Sequence, residues 1–338
     1  MSIDSDSFGT ERPSAVPSTE GERAHELMGV SYGDTGSQLG LEHEVGELEL
    51  APGVEPTPKT QWQLFRRRFL HHRMAIFSLV LLILLFILCY GASWIAPYPK
   101  NDQNLLLVDL PPSAQHWMGT DDLGRDELTE ILYAGQISLR IGLTVGILST
   151  IIGTAAGAIA GFFGKWQDQF LMRLTDLFLI VPSLVILAIA IKKFGGTPWV
   201  ISLVLAAVFW MYTARVVRGL VLSLREKEFV EAARASGASS WRIVVRHILP
   251  NIIGPIMVSV TLAVAAAIIT ESTLSYLGFG VQPPATSWGT MLSTAEGQVG
   301  TPQAYLIYFP GLAIFVTVLA VNFLGDGLRD AFDPQSSD

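Results

Sequence analysis

The chain has 338 residues, of which half are hydrophobic and only 15% are charged. Soluble globular proteins carry a charge on about 25% of their residues, so this composition excludes an ordinary soluble protein and indicates a membrane protein. Residues 1–55 hold twelve acids against Arg12 and Arg23, a charge of −10 within a total of −8. The rest of the chain therefore carries +2, and the acidity belongs to the N-terminal segment.

Residues 1–58 are rich in Gly, Ser, Pro and Glu and show no sustained apolar period. Such a segment buries too little apolar surface to fold, so we expect a disordered acidic leader. A solvated leader is favoured over a regulatory segment, and the sequence does not indicate a function for it.

Residues 59–97 combine a basic flank with a first apolar run, from Met74 to about Ala96. The run is long enough to cross a hydrocarbon core of about 30 Å. It exceeds the apolar part of a signal peptide, about 7–15 residues, so we expect an uncleaved anchor. Five further spans are expected at about Ile137–Phe163, Phe170–Ile191, Pro198–Leu220, Ile252–Leu277 and Ala304–Leu324. The predicted fold class is an all-α polytopic membrane protein with six transmembrane helices.

Six spans place both termini on the same side of the membrane. In that arrangement fifteen Lys and Arg residues fall on the side of the termini, and four fall on the other side. Cytoplasmic loops carry the excess of positive charge. We therefore expect a multi-pass protein of the cell membrane with both termini in the cytoplasm.

Residues 98–136 form the expected extracytoplasmic segment. Asp121, Asp122, Asp126 and Glu127 could ligate a hard cation, but they match no complete metal loop. The turn chemistry favours a structural turn, with Glu127–Tyr133 as a short helix on the outer surface. No metal site is predicted.

Glycines and prolines mark packing and bends within the spans. The second span carries two sets of glycines at four-residue spacing, which favour close approach to neighbouring helices without naming them. These are Gly142 and Gly146, then Gly153, Gly157 and Gly161. Pro182 in the third span and Pro310 in the sixth predict bends.

Two acids lie inside apolar helices, Asp176 in the third span and Glu271 in the fifth. An unpaired charge is costly there, so both are candidates for a translocation path. The alternative is structural. Asp176 could pair with Arg173 or with another helix, and for Glu271 the two readings are equally favoured.

A polar loop at about residues 222–250 separates the fourth and fifth spans. Its pattern predicts a helix over Phe229–Ser236, a turn at Gly237 and a second helix over Ser240–Ile248, capped by Ser239 or Ser240. Pro250 should end that helix before the next span.

Several catalytic and nucleotide-binding patterns are absent from the sequence. There is no G-x-x-x-x-G-K-[ST] loop, no H-E-x-x-H pair and no G-x-S-x-G elbow. We therefore expect neither ATP binding nor enzymatic activity in this chain. An intramembrane hydrolase built on Asp176 and Glu271 is a weak alternative, because nothing in the sequence brings the two acids together.

The polar loop resembles the EAA loop of the permease subunits of ABC importers. The matching positions are Glu231, Ala232, Ala233, Gly237, Leu249 and Pro250. His247 stands where the general pattern prefers Ile, a form similar to that of the dipeptide, oligopeptide and nickel branch. Five further segments look like the second, C-type permease subunit of that branch. They are HWMGTDDLGRD at 116–126, RLTDLFLIVPSL at 173–184, LSLREKEFVEAA at 222–233, ESTLSYLGFGVQPP at 271–284 and LGDGLRDAFDP at 324–334.

The resemblance implies a type I ABC importer permease fold, with a five-helix core at 137–330, the first span around its outside, and a cytoplasmic tail at 331–338. It implies a heterodimer with a related permease, two ATPase subunits that hold ATP and Mg, and an extracytoplasmic solute-binding protein. The loop would be the coupling element that docks on an ATPase subunit. Membrane lipid is the other expected partner, and neither nucleic acid nor a cofactor of this chain is expected. Di- and oligopeptides are the leading substrates, with nickel chelates or other small solutes left open.

Overall fold

The structure is a computed structural model that describes residues 61–332. The acidic leader and residues 333–338 lie outside the described residues. The helices are α1 (Gln61–His71), α2 (Arg73–Tyr90), α3 (Ala92–Ile95), α4 (Glu127–Phe163), α5 (Lys165–Ile180), α6 (Ser183–Phe194), α7 (Pro198–Leu224), α8 (Glu228–Ala235), α9 (Ser240–Ile243), α10 (Ile253–Tyr276), α11 (Trp288–Thr294) and α12 (Tyr305–Phe332). A π-turn (Val244–Ile248) and a 3-10 turn (Leu249–Ile252) join α9 to α10.

Five helices in the described part of the chain are long and apolar enough to cross a membrane. They are α2, α4, α7, α12 and the continuous helical segment Ser240–Tyr276, which includes α9 and α10. The bent pair α5 and α6 makes a sixth candidate if it counts as one span. The all-α class and the six predicted spans are confirmed in that sense.

The third span is not the single kinked helix that Phe170–Ile191 predicted. It consists of two helices at 89° to one another, broken between Ile180 and Ser183. Val181 has extended backbone angles (φ −86°, ψ 134°), as expected for a residue whose helical conformation is disfavoured by a following proline. Pro182 therefore breaks the helix instead of bending it.

The separate outer helix predicted at Glu127–Tyr133 is also wrong, because these residues are the first turns of α4. Asp126 caps α4 by accepting a hydrogen bond from the Thr129 N–H (2.9 Å). Gly135 does not interrupt the helix. A Cβ at that position would lie 2.4 Å from the Cys89 sulfur, so the absence of a side chain on Gly135 permits close packing of α4 against α2.

The two glycine sets of α4 face two different helices. A Cβ on Gly157 would lie 2.4 Å from the Ala214 carbonyl oxygen of α7, and Gly153 and Gly161 meet α7 in the same way. Gly146 instead approaches Val264 of α10. These contacts make α7 parallel and α10 antiparallel to α4, and α4 the centre of the bundle.

The same contacts sort the helix termini into two ends of the bundle. Gly325 of α12 packs against Thr261 of α10, and Gly327 packs against Ala75 of α2. We name the two ends after the charges of their loops. The basic end holds the helix termini Arg73, Phe163, Leu224, Ile253 and Phe332, and the acidic end holds Tyr90, Glu127, Tyr276 and Tyr305. Both ends of the described chain lie at the basic end with the polar loop. Which side of the membrane that end faces stays a prediction.

Candidate functional site

The polar loop at the basic end folds as predicted around Gly237. This glycine has φ +80°, a left-handed conformation that side chains with a Cβ rarely adopt. The Gly237 N–H bonds to the Arg234 carbonyl (3.0 Å) and the Ala238 N–H to the Ala233 carbonyl (3.1 Å). This pair of bonds is a Schellman motif, and it fixes the direction in which the chain leaves α8.

The second half of the loop differs from its prediction after the first turn. Ser239 is the cap, accepting from the Arg242 N–H at 3.4 Å, so the cap prediction is confirmed. Pro250 does not end the helix, because a π-turn and then a 3-10 turn carry the helical track directly into α10. Pro250 sits in the first turn of the 3-10 segment, where a missing N–H costs little.

An apolar cluster attaches the loop to the basic end of three long helices. Val230 of α8 and Ile243 of α9 are buried together with Val217 and Val221 of α7 and Ala158 of α4. The guanidinium of Arg225 also donates to the Gly161 carbonyl of α4 at 3.1 Å. The loop is therefore packed directly against the basic ends of α4, α7 and α10.

The opposite face of the loop is exposed. Glu231, Ala232, Gly237 and Pro250 are exposed, whereas Ala233 and Leu249 are half-buried and pack against the apolar cluster. Phe229 and Trp241 add large aromatic surface, with 41% and 58% of the residue exposed. Exposed aromatic groups among charged ones are typical of a protein-binding surface.

The two acids inside the spans are placed in different surroundings. Asp176 of α5 accepts a hydrogen bond from the Arg215 guanidinium of α7 (2.5 Å), so its partner is on another helix and not Arg173. Glu271 is fully buried, and its Oε1 accepts from the Ser275 hydroxyl at 2.7 Å. Ser275 in turn accepts from the Val281 N–H (3.2 Å), so Glu271 lies beneath the segment that follows α10. The structure does not bring Asp176 and Glu271 into a common network of hydrogen bonds.

The outer acids are used within the fold. Asp121 accepts from the N–H groups of Leu123 and Arg125 and pairs with the Arg125 side chain at 2.6 Å. Asp126 caps α4 and bonds to the buried His116 ring at 2.9 Å. Partial burial, reinforced by the charge of Asp121, raises the pKa of Asp122. Within residues 61–332, no three His, Cys, Asp or Glu side chains are arranged to hold a metal ion.

Sequence reasoning missed the ion pair between Asp168 of α5 and Arg218 of α7. It also missed Phe229 and Trp241 as part of the loop surface. The only available signals were an acid at the start of an apolar helix and a tryptophan in a polar loop, and neither identifies its partner.

Two protein families match the sequence. Residues 153–337 match "Binding-protein-dependent transport system inner membrane component". Residues 60–112 match "N-terminal TM domain of oligopeptide transport permease C". Together they cover both the first span and the loop.

Curated relatives match over most of the chain. The "Oligopeptide transport system permease protein OppC" of Mycobacterium tuberculosis is 42% identical over 272 residues, which cover 80% of this chain and 93% of the relative. A "Putative peptide permease protein" of Brucella suis is 44% identical, covering 80% of this chain and 89% of the relative. The "Glutathione transport system permease protein GsiD" of Escherichia coli is 40% identical, covering 85% and 95%.

A solved structure described as inward-facing conformations of the MetNI methionine ABC transporter is similar in fold. The TM-score is 0.50 at 17% identity, over 60% of this chain and 96% of the other. The chain therefore belongs to the family of inner membrane components of binding-protein-dependent transport systems, as an OppC-like, multi-pass permease subunit of an ABC importer with the type I fold.

Proposed function

We propose that this chain forms half of the translocation pathway of an importer that carries short peptides into the cell, driven by ATP hydrolysis on separate subunits. The names of the relatives support peptides as the substrate class, with glutathione as a small peptide-like case. Nickel chelates remain the alternative solute. The basic end would face the cytoplasm, in agreement with the distribution of Lys and Arg.

One observation carries the proposal. The loop around Gly237 is a helix–turn–helix whose inner face packs against α4, α7 and α10 and whose outer face exposes Glu231 and Trp241. Such an element suits docking on a partner protein and transmitting its motion to the bundle. The expected partner is an ATPase subunit, which would hold ATP and Mg.

The mechanism follows from these connections. Closure of two ATPase subunits would displace the docked loops, and the cluster beneath each loop would move the basic ends of the helices. The permease pair would then open toward the outside and accept solute from a binding protein. Coupling of this kind is reciprocal, so loaded binding protein should favour the ATP-closed state.

The test is co-purification combined with uptake. The affinity-tagged full chain should retain an ATPase subunit, and cells lacking the chain should lose uptake of a labelled dipeptide. Glu231→Lys should reduce both retention and uptake, whereas Asp102→Lys at the acidic end should leave ATPase retention unchanged. Uptake of labelled dipeptide without the chain would refute the substrate class, and retention unaffected by Glu231→Lys would refute the docking role.

An intramembrane hydrolase is not supported by the geometry. Asp176 is held by Arg215 and Glu271 by Ser275, so the two carboxylates are engaged by different partners.

A further inference from the structure

A cavity of about 470 Å³ opens at the acidic end of the bundle. One wall is the turn Asp121–Arg125 with the first turn of α4. The other is the segment that follows α10, at residues 281–286, with α11. The volume lies within the range of about 300–1,000 Å³ that is usual for small-molecule sites.

Two buried carboxylates line this cavity with unused hydrogen-bonding capacity. Glu127 and Glu130 are each 2% exposed and lie three residues apart, on the same face of α4. Among the described residues, Glu127 Oε1 and Glu130 Oε2 have no hydrogen-bond partner. Glu130 Oε1 accepts from the Asn101 N–H at 3.1 Å. Buried acceptors of this kind are rare in folded proteins, because each one loses its bonds to water.

The charge of the residues that line the cavity indicates whether a ligand should be an anion or a cation. Asp121, Asp122, Glu127 and Glu130 face the cavity with Arg125 as the single base in its lining, a formal charge of −3. Arg125 is already engaged by Asp121 at 2.6 Å, and its Nη1 is 3.9 Å from Glu130 Oε2. The formal charge of the lining therefore disfavours anions and favours a cation.

The arrangement of the carboxylate oxygens favours an organic cation over a metal ion. A hard metal ion takes six or more oxygen ligands, whereas the described residues contain no group of three acidic or metal-binding side chains arranged around one point. An ammonium group brings three N–H donors, which match a few carboxylate oxygens. Val281, Pro283, Met291 and Leu306 provide apolar surface for the carbon atoms of such a ligand.

We propose that this cavity is a binding site for a small organic ammonium compound, whose charged nitrogen is held by Glu127 and Glu130. The site is separate from the loop at the basic end, and the proposal does not depend on which solute is transported. Binding can be measured without ATP and without uptake, so its failure would leave the transport assignment standing.

The test uses the full-length chain in lipid nanodiscs with the subunits that co-purify. Isothermal titration at about pH 6.5 compares L-alanyl-L-alaninamide, which is an ammonium cation at this pH, with its neutral N-acetylated form. We expect saturable binding of the cation only, weakened at least tenfold by Glu127→Gln and by Glu130→Gln. Asp102→Asn, an exposed acid at the same end and not part of the lining, should bind as the parent does.

Thermal melting of each variant shows that it is folded, and the isosteric amides keep the shape of the cavity. Equal binding of the N-acetylated form, binding unaffected by both glutamine variants, or no binding of the cation would each overturn the proposal. Displacement of the cation by a lower concentration of calcium chloride would also overturn it, because the site would then be a metal site.

Discussion

Arg218 of α7 donates two hydrogen bonds from its guanidinium to the carboxylate of Asp168 at the start of α5, with Nη2 and Oδ2 2.7 Å apart. This two-point contact, together with the pair Asp176–Arg215, fixes the first half of the broken span against α7. The Asp168–Arg218 pair therefore links α5 to α7 near the basic end of the bundle.

Removing this pair should destabilise the bundle. Asp168→Ala leaves Arg218, which is one-third exposed, without its acceptor, and we expect a loss of about 1–2 kcal/mol. Glu226→Ala is the matched control, because its pair with Arg225 is between neighbouring residues and 70% of the Glu226 side chain is exposed. That change should cost less than about 0.5 kcal/mol. Melting curves in nanodiscs measure both, and equal midpoints for the two variants would contradict the prediction.

The contact between α4 and α7 depends on Gly157. Gly157→Ala places a Cβ 2.4 Å from the Ala214 carbonyl oxygen, so the helices must separate, at a cost of about 1–3 kcal/mol. Gly219→Ala on the exposed face of α7 meets nothing within 4 Å and should be neutral or slightly stabilising. Thermal stability in the same lipid compares them. The packing argument fails if Gly157→Ala melts no lower than Gly219→Ala.

The turn at Gly237 should decide whether ATP hydrolysis is coupled to uptake. Gly237→Val puts a β-branched residue at φ +80°, a strain of about 1–2 kcal/mol, which should redirect α9. We expect ATPase activity to persist while peptide uptake falls. Gly237→Asn tests the cause, since Asn tolerates this conformation and should retain most uptake. Full uptake by the valine variant would exclude a coupling role for the turn.

For Glu271 we expect a structural role, because the carboxylate is fully buried and bonded to Ser275. Glu271→Gln keeps an acceptor for Ser275 and should leave uptake nearly unchanged. Glu271→Ala removes that acceptor and leaves a cavity, so it should lower stability by about 2–4 kcal/mol. Uptake assays and melting curves separate the outcomes. Abolished uptake in a stably folded glutamine variant would instead place Glu271 on the translocation path.

Calcium should not stabilise the turn around Asp121. Its carboxylate already accepts from two backbone N–H groups and from Arg125. Asp121→Ala should therefore lower the melting temperature by the same amount in calcium and in a chelator. A stabilisation by calcium that disappears in Asp121→Ala would show a metal site there.

Much of the candidate loop could be predicted from the sequence. Helix formers on both sides of Gly237, a serine two residues later and the EAA pattern are local signals, and the left-handed glycine and the Ser239 cap follow from them. The predicted helix end at Pro250 is wrong because a π-turn and a 3-10 turn continue the helix past the proline, and no local sequence pattern predicts a π-turn.

The sequence by itself determined where the apolar segments lie, the glycine spacing on α4 and the loop motif, since each depends on residues close together in the chain. Only the tertiary structure decided that Gly157 faces α7 while Gly146 faces α10, and that Asp176 binds Arg215. It also brought Glu127 and Glu130 opposite residues 281–286 to form a cavity. The hydropathy and spacing of residues predict which face of a helix is buried or carries small residues. The helix that packs against that face depends on how distant segments of the chain come together in three dimensions.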